Sequence, residues 1–122
     1  MSDGVPQQRF LPEDEVTAAR ARELAESGGA WLLDVREDFE WEAGHAPGAH
    51  HIPLGELGER QHELPEDRQL LVICRSGARS RMVTEALTEA NYPAANVAGG
   101  MGAWQASGGA VLRDDGTPGA IV

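Results

Sequence analysis

The single cysteine of the chain, Cys74, closes an apolar run, Leu70-Leu71-Val72-Ile73. It opens a short loop, Arg75-Ser76-Gly77-Ala78-Arg79-Ser80, that leads directly into a helix-compatible segment. A thiol placed there can act as a nucleophile. Its reactive form is the thiolate, which is stabilised at a helix N-terminus by unpaired backbone N–H groups and the positive end of the helix dipole. Gly77 admits backbone angles closed to other residues, so that successive amides can converge on one anion. Arg75 and Arg79 add positive charge that deprotonation cannot remove. Together these features place the thiol in roughly the 3.5–7.5 pKa range of activated cysteines and suit an anionic substrate. They would also hold a sulfur anion on Cys74 after a first transfer. The competing assignment is a buried strand-end cysteine, since free cysteine is among the most buried residue types. Such a residue would need neither the glycine nor the flanking arginines.

The rest of the composition bounds what this loop can serve. A chain of 122 residues makes one domain with a single core. Its formal net charge of -10, from 20 acidic and 10 basic residues, argues against nucleic acid or an anionic membrane as partner. All the basic residues are arginine, which excludes Schiff-base chemistry through a lysine. The grouping of Arg75, Arg79 and Arg81 near the cysteine therefore reads as positive charge concentrated where an anion must go. No apolar run reaches the ~20 residues of a membrane span. The first residues, Met1 to Pro6, show no positive region followed by an apolar segment, so a leader peptide is not expected. One cysteine permits no internal disulfide, which suits a reducing compartment, and a cytoplasmic location is expected.

The elements that must position the loop follow from punctuation and periodicity. Residues 1–12 read as a flexible arm, 13–113 as the domain and 114–122 as a tail. Val16-Thr17 reads as a short strand, Ala18 to Ser27 as a helix ended by Gly28-Gly29, and Trp31 to Val35 as a central parallel strand. Glu37 to Ala43 reads as a short helix that places Phe39 and Trp41 near the core. A Gly/Pro loop at 44–49, a brief strand at His50 to Ile52 and a helix from Pro53 to about Arg60 come next. After the break at 64–67 comes the strand Gln69–Ile73. From Arg79 to Ala90, Met82, Val83, Ala86, Leu87 and Ala90 recur at helical spacing as one apolar face. Asn96 to Ala98 is a last strand, and Met101 to Ala106 a helix carrying Trp104. Ala110–Arg113 is a further extended stretch. Alternating strands and helices indicate an α/β fold with a mainly parallel sheet, in which ligands bind beyond the carboxyl ends of the strands, where Cys74 falls.

Four blocks of the chain, in order, resemble the rhodanese family. Leu33-Asp34-Val35-Arg36-Glu37 with Glu40-Trp41 is similar to its first motif. Gly44-His45-Ala46-Pro47-Gly48-Ala49 with Ile52-Pro53-Leu54 is similar to the continuation, Cys74 to Ser80 to the active-site loop, and Ala98 to Trp104 to the segment of the closing helix. The resemblance implies a five-stranded, mainly parallel sheet flanked by helices and a sulfurtransferase acting through a Cys74 persulfide. Carried over, Cys74 takes sulfane sulfur from an anionic donor such as thiosulfate and passes it to a thiophilic acceptor, cyanide or a thiol. The backbone amides from Arg75 to Ser80 would cradle the sulfur, Arg75 and Arg79 would bind the sulfonate, and no cofactor is implied beyond the persulfide. Asp34 and Arg36 favour a structural role as a charge-assisted pair, with Glu40 or Glu42 as further partners for Arg36. His45 is expected to pin its loop. His50 and His51, as strand neighbours, face opposite ways and would not share a metal, and His62 is distant, so no metal site is expected. Trp31, Trp41 and Trp104 read as packing residues.

The alternative function is a protein-to-protein persulfide carrier, which shares the Cys74 chemistry but docks a sulfur-donor or acceptor protein. A cysteine phosphatase or arsenate reductase comes third. Their loops place five residues between cysteine and arginine, whereas four separate Cys74 from Arg79. A non-catalytic module of the same fold commonly lacks the cysteine.

Overall fold

The computed structural model describes residues 10–122. Twelve elements alternate along them: β1 Glu15–Val16, α1 Ala18–Glu26, β2 Trp31–Asp34, α2 Asp38–Ala43, β3 His50–His51, and α3 Leu57–Arg60 between two short 3₁₀ turns, Leu54–Glu56 and Gln61–Glu63. They end with β4 Leu70–Ile73, α4 Ala78–Glu89, β5 Ala94–Val97 and α5 Gly100–Ala106. Helix α1 starts where Thr17 Oγ1 accepts the Arg20 N–H (3.1 Å), a side-chain cap for an otherwise unpaired amide. Helix α2 starts with a capping box in which Glu40 accepts the Glu37 N–H at 2.9 Å.

The five strands form one sheet in the order β1-β5-β4-β2-β3, and every pairing is parallel. Strand β4 is buried along its whole length. Its alternating side chains feed two cores. Leu71 and Ile73 pack on one face with α1 and α5 residues such as Ala21, Met101 and Trp104, and Leu70, Val72 and Cys74 on the other with Val83 and Leu87 of α4. The connection from β2 runs outward to β3, while that from β4 runs the opposite way to β5. The strands β2 and β4 stay paired to their carboxyl ends, and the connections leaving them part there, which opens a crevice above the sheet. Asp34 ends β2 and Cys74 follows β4, so both sequence blocks arrive at that crevice.

Several expectations are corrected. Phe39 does not approach the core: it is 65% exposed, and the residue that α2 turns inward is Glu40. The apolar face read on α4 is split. Val83 and Leu87 are buried, but Met82, at 59%, Ala86 and Ala90 are exposed, and the inward positions are completed by Ser80 and Thr84. Thr84 passes as a core residue because its hydroxyl donates to the Ser80 carbonyl (2.8 Å) one turn back. Of the expected arm, residues 1–9 lie outside the described residues. Leu11 packs on the core and its N–H donates to Gln69 Oε1 at 2.7 Å. The tail is docked as well: Ala120 N–H donates to the Ala43 carbonyl (2.8 Å) and Gly119 N–H to that of Val111 (2.9 Å). Within the stretch Ala110–Arg113, Leu112 forms isolated bridges to His45 and to Pro118. No helix among the described residues is long and apolar enough to cross a membrane.

Candidate active site

The loop closes around its own sulfur. Cys74 Sγ accepts hydrogen bonds from the Gly77 N–H (3.1 Å), the Ser80 N–H (3.3 Å) and the Ser80 hydroxyl (3.2 Å). Two residues make this geometry possible. Gly77 caps α4 at φ 109°, a left-handed angle that turns the chain from loop into helix. Gly100, at φ 57°, lets α5 approach from behind: a Cβ there would sit 2.6 Å from the Arg75 carbonyl oxygen. The amides of Met101 and Gly102 consequently reach the carbonyls of Cys74 (2.8 Å) and Arg75 (3.2 Å). Carbonyls face α5 and amides face the sulfur.

These contacts set the state of the thiol. Burial pushes the Cys74 pKa up, because a thiolate loses hydration. The Ser80 hydroxyl and the amides of Ser80, Gly77 and Ser76 outweigh it, and the net effect holds the thiol below its ordinary value. The residue itself is 1% exposed. The arrangement favours the thiolate over the thiol at the N-terminus of a helix.

The arginines are placed otherwise than the spacing suggests. Arg79 forks onto the Glu40 carboxylate, Nη1 to Oε1 at 2.7 Å and Nη2 to Oε2 at 2.9 Å, a bidentate pair joining α4 to α2. The pair holds the Glu40 carboxyl below, and the Arg79 guanidinium above, their ordinary ranges. Glu40 is thus the partner of Arg79, not of Arg36 as expected. Arg81 is bound to Asp14 (3.1 Å) and Glu15 (2.9 Å) at the edge of the sheet, so it adds no free charge to the loop. Arg75 is exposed and uses only its Nε, which donates to the Val122 carbonyl at 2.9 Å. In a chain with twice as many acids as arginines, guanidinium groups find carboxylates. The anion cradle is built mainly of amides. Ser76 and Ala78 are exposed on the loop.

The supporting residues sit behind. Asp34 and Arg36 are both fully buried and paired through Nε–Oδ1 (3.0 Å) and Nη2–Oδ2 (2.8 Å), with Arg36 Nη2 also donating to the Gly44 carbonyl at 2.8 Å. His45 stacks on Trp41 at 3.5 Å, shares its Nδ1 proton with the Trp41 carbonyl (2.8 Å), and pairs through its backbone with Leu112. His51 caps the Arg36 carbonyl through Nε2 at 2.7 Å and also stacks on Trp41, while His50 stacks on Trp31. None of these three histidines contacts Cys74. Trp104 alone of the tryptophans is fully in the core, with its Nε1 donating to the Ala110 carbonyl.

A parallel α/β sheet whose central strand delivers a thiol into a loop of amides defines the structural class, a strand-to-helix cysteine-loop protein. The Rhodanese-like domain family model matches residues 17–107. This chain belongs to that family. YtwF of Bacillus subtilis (strain 168) is 40% identical to it over 89 residues, covering 73% of this chain and 86% of YtwF. The thiosulfate sulfurtransferase GlpE of Actinobacillus succinogenes is 34% identical over 95 residues, covering 77% of this chain and 86% of GlpE. Among solved structures, a rhodanese-related protein of Thermoplasma volcanium superposes with a TM-score of 0.76 at 32% identity, over 82% of this chain and 98% of that one.

Proposed function

We propose that the protein is a sulfurtransferase working through a Cys74 persulfide. The Cys74 thiolate attacks the outer sulfur of a donor such as thiosulfate. The bond between that sulfur and the sulfonate breaks, sulfite departs with the electron pair, and Cys74 carries S–S⁻. A thiophilic acceptor, cyanide or a thiolate, then attacks the outer sulfur and regenerates the Cys74 thiolate. Neither step needs a general base, because the sulfur enters already stabilised as an anion, and neither calls for a cofactor. The observation that carries this reading is the set of donors on Sγ from Gly77 and Ser80. The similarity to GlpE supports thiosulfate as the class of donor.

Recognition of the sulfonate rests on Arg75 and on loop amides, with Arg79 contributing to the extent that it leaves Glu40. That engagement of Arg79 favours a second reading, a carrier charged by a protein persulfide, which brings no sulfonate to bind. A phosphatase fits less well: the arginine that would fold over a tetrahedral oxyanion is held away on Glu40.

Intact-protein mass spectrometry after brief exposure to thiosulfate tests the proposal. The expected result is a gain of one sulfur atom on Cys74 that cyanide removes, and no gain in Cys74→Ser. A thiol that alkylates readily but never gains sulfur from thiosulfate, and gains it from a protein persulfide, moves the carrier to first place.

A further inference from the structure

Helix α4 begins at the cysteine loop and runs away from it, and its outer stripe, Met82, Ala86 and Ala90, is left uncovered by the sheet. Across from it stand Leu54, Leu57 and Gly58, and together these residues line an open apolar groove of about 340 Å³. The groove begins at Met82, four residues into the helix, about 6 Å along the axis from Ala78 at a rise of 1.5 Å per residue. Met82 is 59% exposed, and an unbranched thioether on an open surface adapts to whatever packs on it. At its far end the groove shares Gln61 and Ala90 with a polar hollow of about 430 Å³ that Glu66, Asn91 and Tyr92 complete.

The rim of this groove is acidic. Glu85 and Glu89 flank the stripe one turn apart on α4, and Glu66 lies in the hollow; all three are exposed. None of them makes an ion pair among the described residues. The arginines of the two helices offer no compensation, because Arg60 is bound by Glu56 and Glu63, Arg79 by Glu40, and Arg81 by Asp14 and Glu15. An apolar trough edged by unneutralised carboxylates has a definite complement.

We propose that this groove docks a partner protein through an amphipathic helix with an apolar ridge and flanking lysines or arginines. The apolar ridge lies along Met82, Ala86 and Leu57, and the flanking cations meet Glu85, Glu89 and Glu66. A second copy of this chain is a poor occupant, since each copy carries a net charge of -10 and the groove's own elements supply no uncommitted cation. None of residues 74–80 lines the groove, so the proposed contacts do not involve the cysteine loop. The proposal therefore stands whether or not Cys74 carries sulfur.

The test uses the full chain and three fluorescein-labelled peptides of about 16 residues, long enough for a helix to form on a surface. One presents a leucine ridge flanked by lysines, one replaces those lysines by glutamates, and one keeps the lysines but scrambles the ridge. Fluorescence anisotropy should show binding of the first peptide only. Met82→Asp should weaken it at least tenfold, and the double change Glu85→Lys with Glu89→Lys should transfer preference to the glutamate peptide. These are exposed positions, and circular dichroism verifies the fold of each variant. No binding of the first peptide, equal binding of the scrambled one, or binding indifferent to both variants would overturn the proposal. So would a concentration-dependent dimer in sedimentation that Met82→Asp abolishes, because the occupant would then be a second copy.

Discussion

At Cys74 the balance between desolvation and hydrogen bonding decides reactivity, and Ser80 holds an unusual share of it. Its amide and its hydroxyl both point at Sγ, and the same hydroxyl lies 3.2 Å from the Gly77 carbonyl. A hydroxyl has one proton, so donation to a thiolate competes with donation to a neutral carbonyl. The anion wins, because hydrogen bonds to charged groups are the stronger. Ser80→Ala removes that donor while the amide remains. A charged hydrogen bond contributes roughly 1.5–3 kcal/mol, and competition from Gly77 argues for the lower end. Losing it disfavours the thiolate, so the Cys74 pKa should rise. The sign follows from the reactive species: the alkylation rate with iodoacetamide climbs as the thiolate forms, and its midpoint moves to higher pH in the variant. An unmoved midpoint would mean that the amides alone hold the thiolate.

Between elements, the Glu40–Arg79 fork is the tie that fixes the loop's helix to the segment after β2, and it carries two measurable consequences. Glu40 has its pKa depressed on folding, chiefly by the Arg79 hydrogen bonds. A carboxyl of that kind stabilises the fold above its unfolded pKa and loses the contribution as pH falls through the lower folded value. The wild-type chain should therefore lose more stability than Glu40→Gln between about pH 5 and pH 3, read as urea midpoints across that range. Glu40→Gln also weakens the hold on Arg79, whose charge acts on Cys74. The expected kinetic effect is a thiosulfate KM lowered several-fold with a smaller change in kcat, whereas a purely structural tie would leave KM unchanged or raised. This pairing marks where sequence reading stopped. The strands, the loop and the crevice were legible because β2 and β4 are short apolar runs ended by polar motifs. The partner of Arg79 was not, since it lies 39 residues away and neighbouring acids at 37, 38 and 42 looked equivalent. The split face of α4 was hidden for a related reason. Periodicity locates an apolar stripe, but the sheet selected Ser80, Val83, Thr84 and Leu87: Thr84 satisfies its hydroxyl on the Ser80 carbonyl one turn back, and Ser80 turns its own to the sulfur. The docked tail carried no pattern at all: its hold depends on backbone bonds and on glycines at 44 and 119, where a Cβ would fall 2.7 Å from Ala120 N and 2.6 Å from the Ala43 carbonyl oxygen.

Over the whole molecule, charge sets the terms on which a small anion reaches the loop. The chain carries -10, and two of the three arginines grouped near the cysteine are engaged with carboxylates, so an approaching dianion meets a repulsive far field and an attractive near one. The two act over different distances. Hydrogen bonds from amides operate within the loop and are little screened, whereas the field of the acidic surface is cut as the Debye length falls from ~30 Å at 0.01 M salt to ~8 Å at 0.15 M. Raising ionic strength with a salt whose anion does not compete for the loop should therefore increase kcat/KM for thiosulfate several-fold. Alkylation of Cys74 by uncharged iodoacetamide should barely change over the same range. If Arg75 and Arg79 instead dominate the encounter, the dependence reverses and salt slows the reaction with thiosulfate. Stopped-flow measurement of the two reagents side by side separates these cases, because any salt effect on the thiol itself appears equally in both. A rise confined to thiosulfate places the repulsion in the surrounding acidic surface and leaves recognition of the donor to short-range contacts, those of Arg75 and the loop amides.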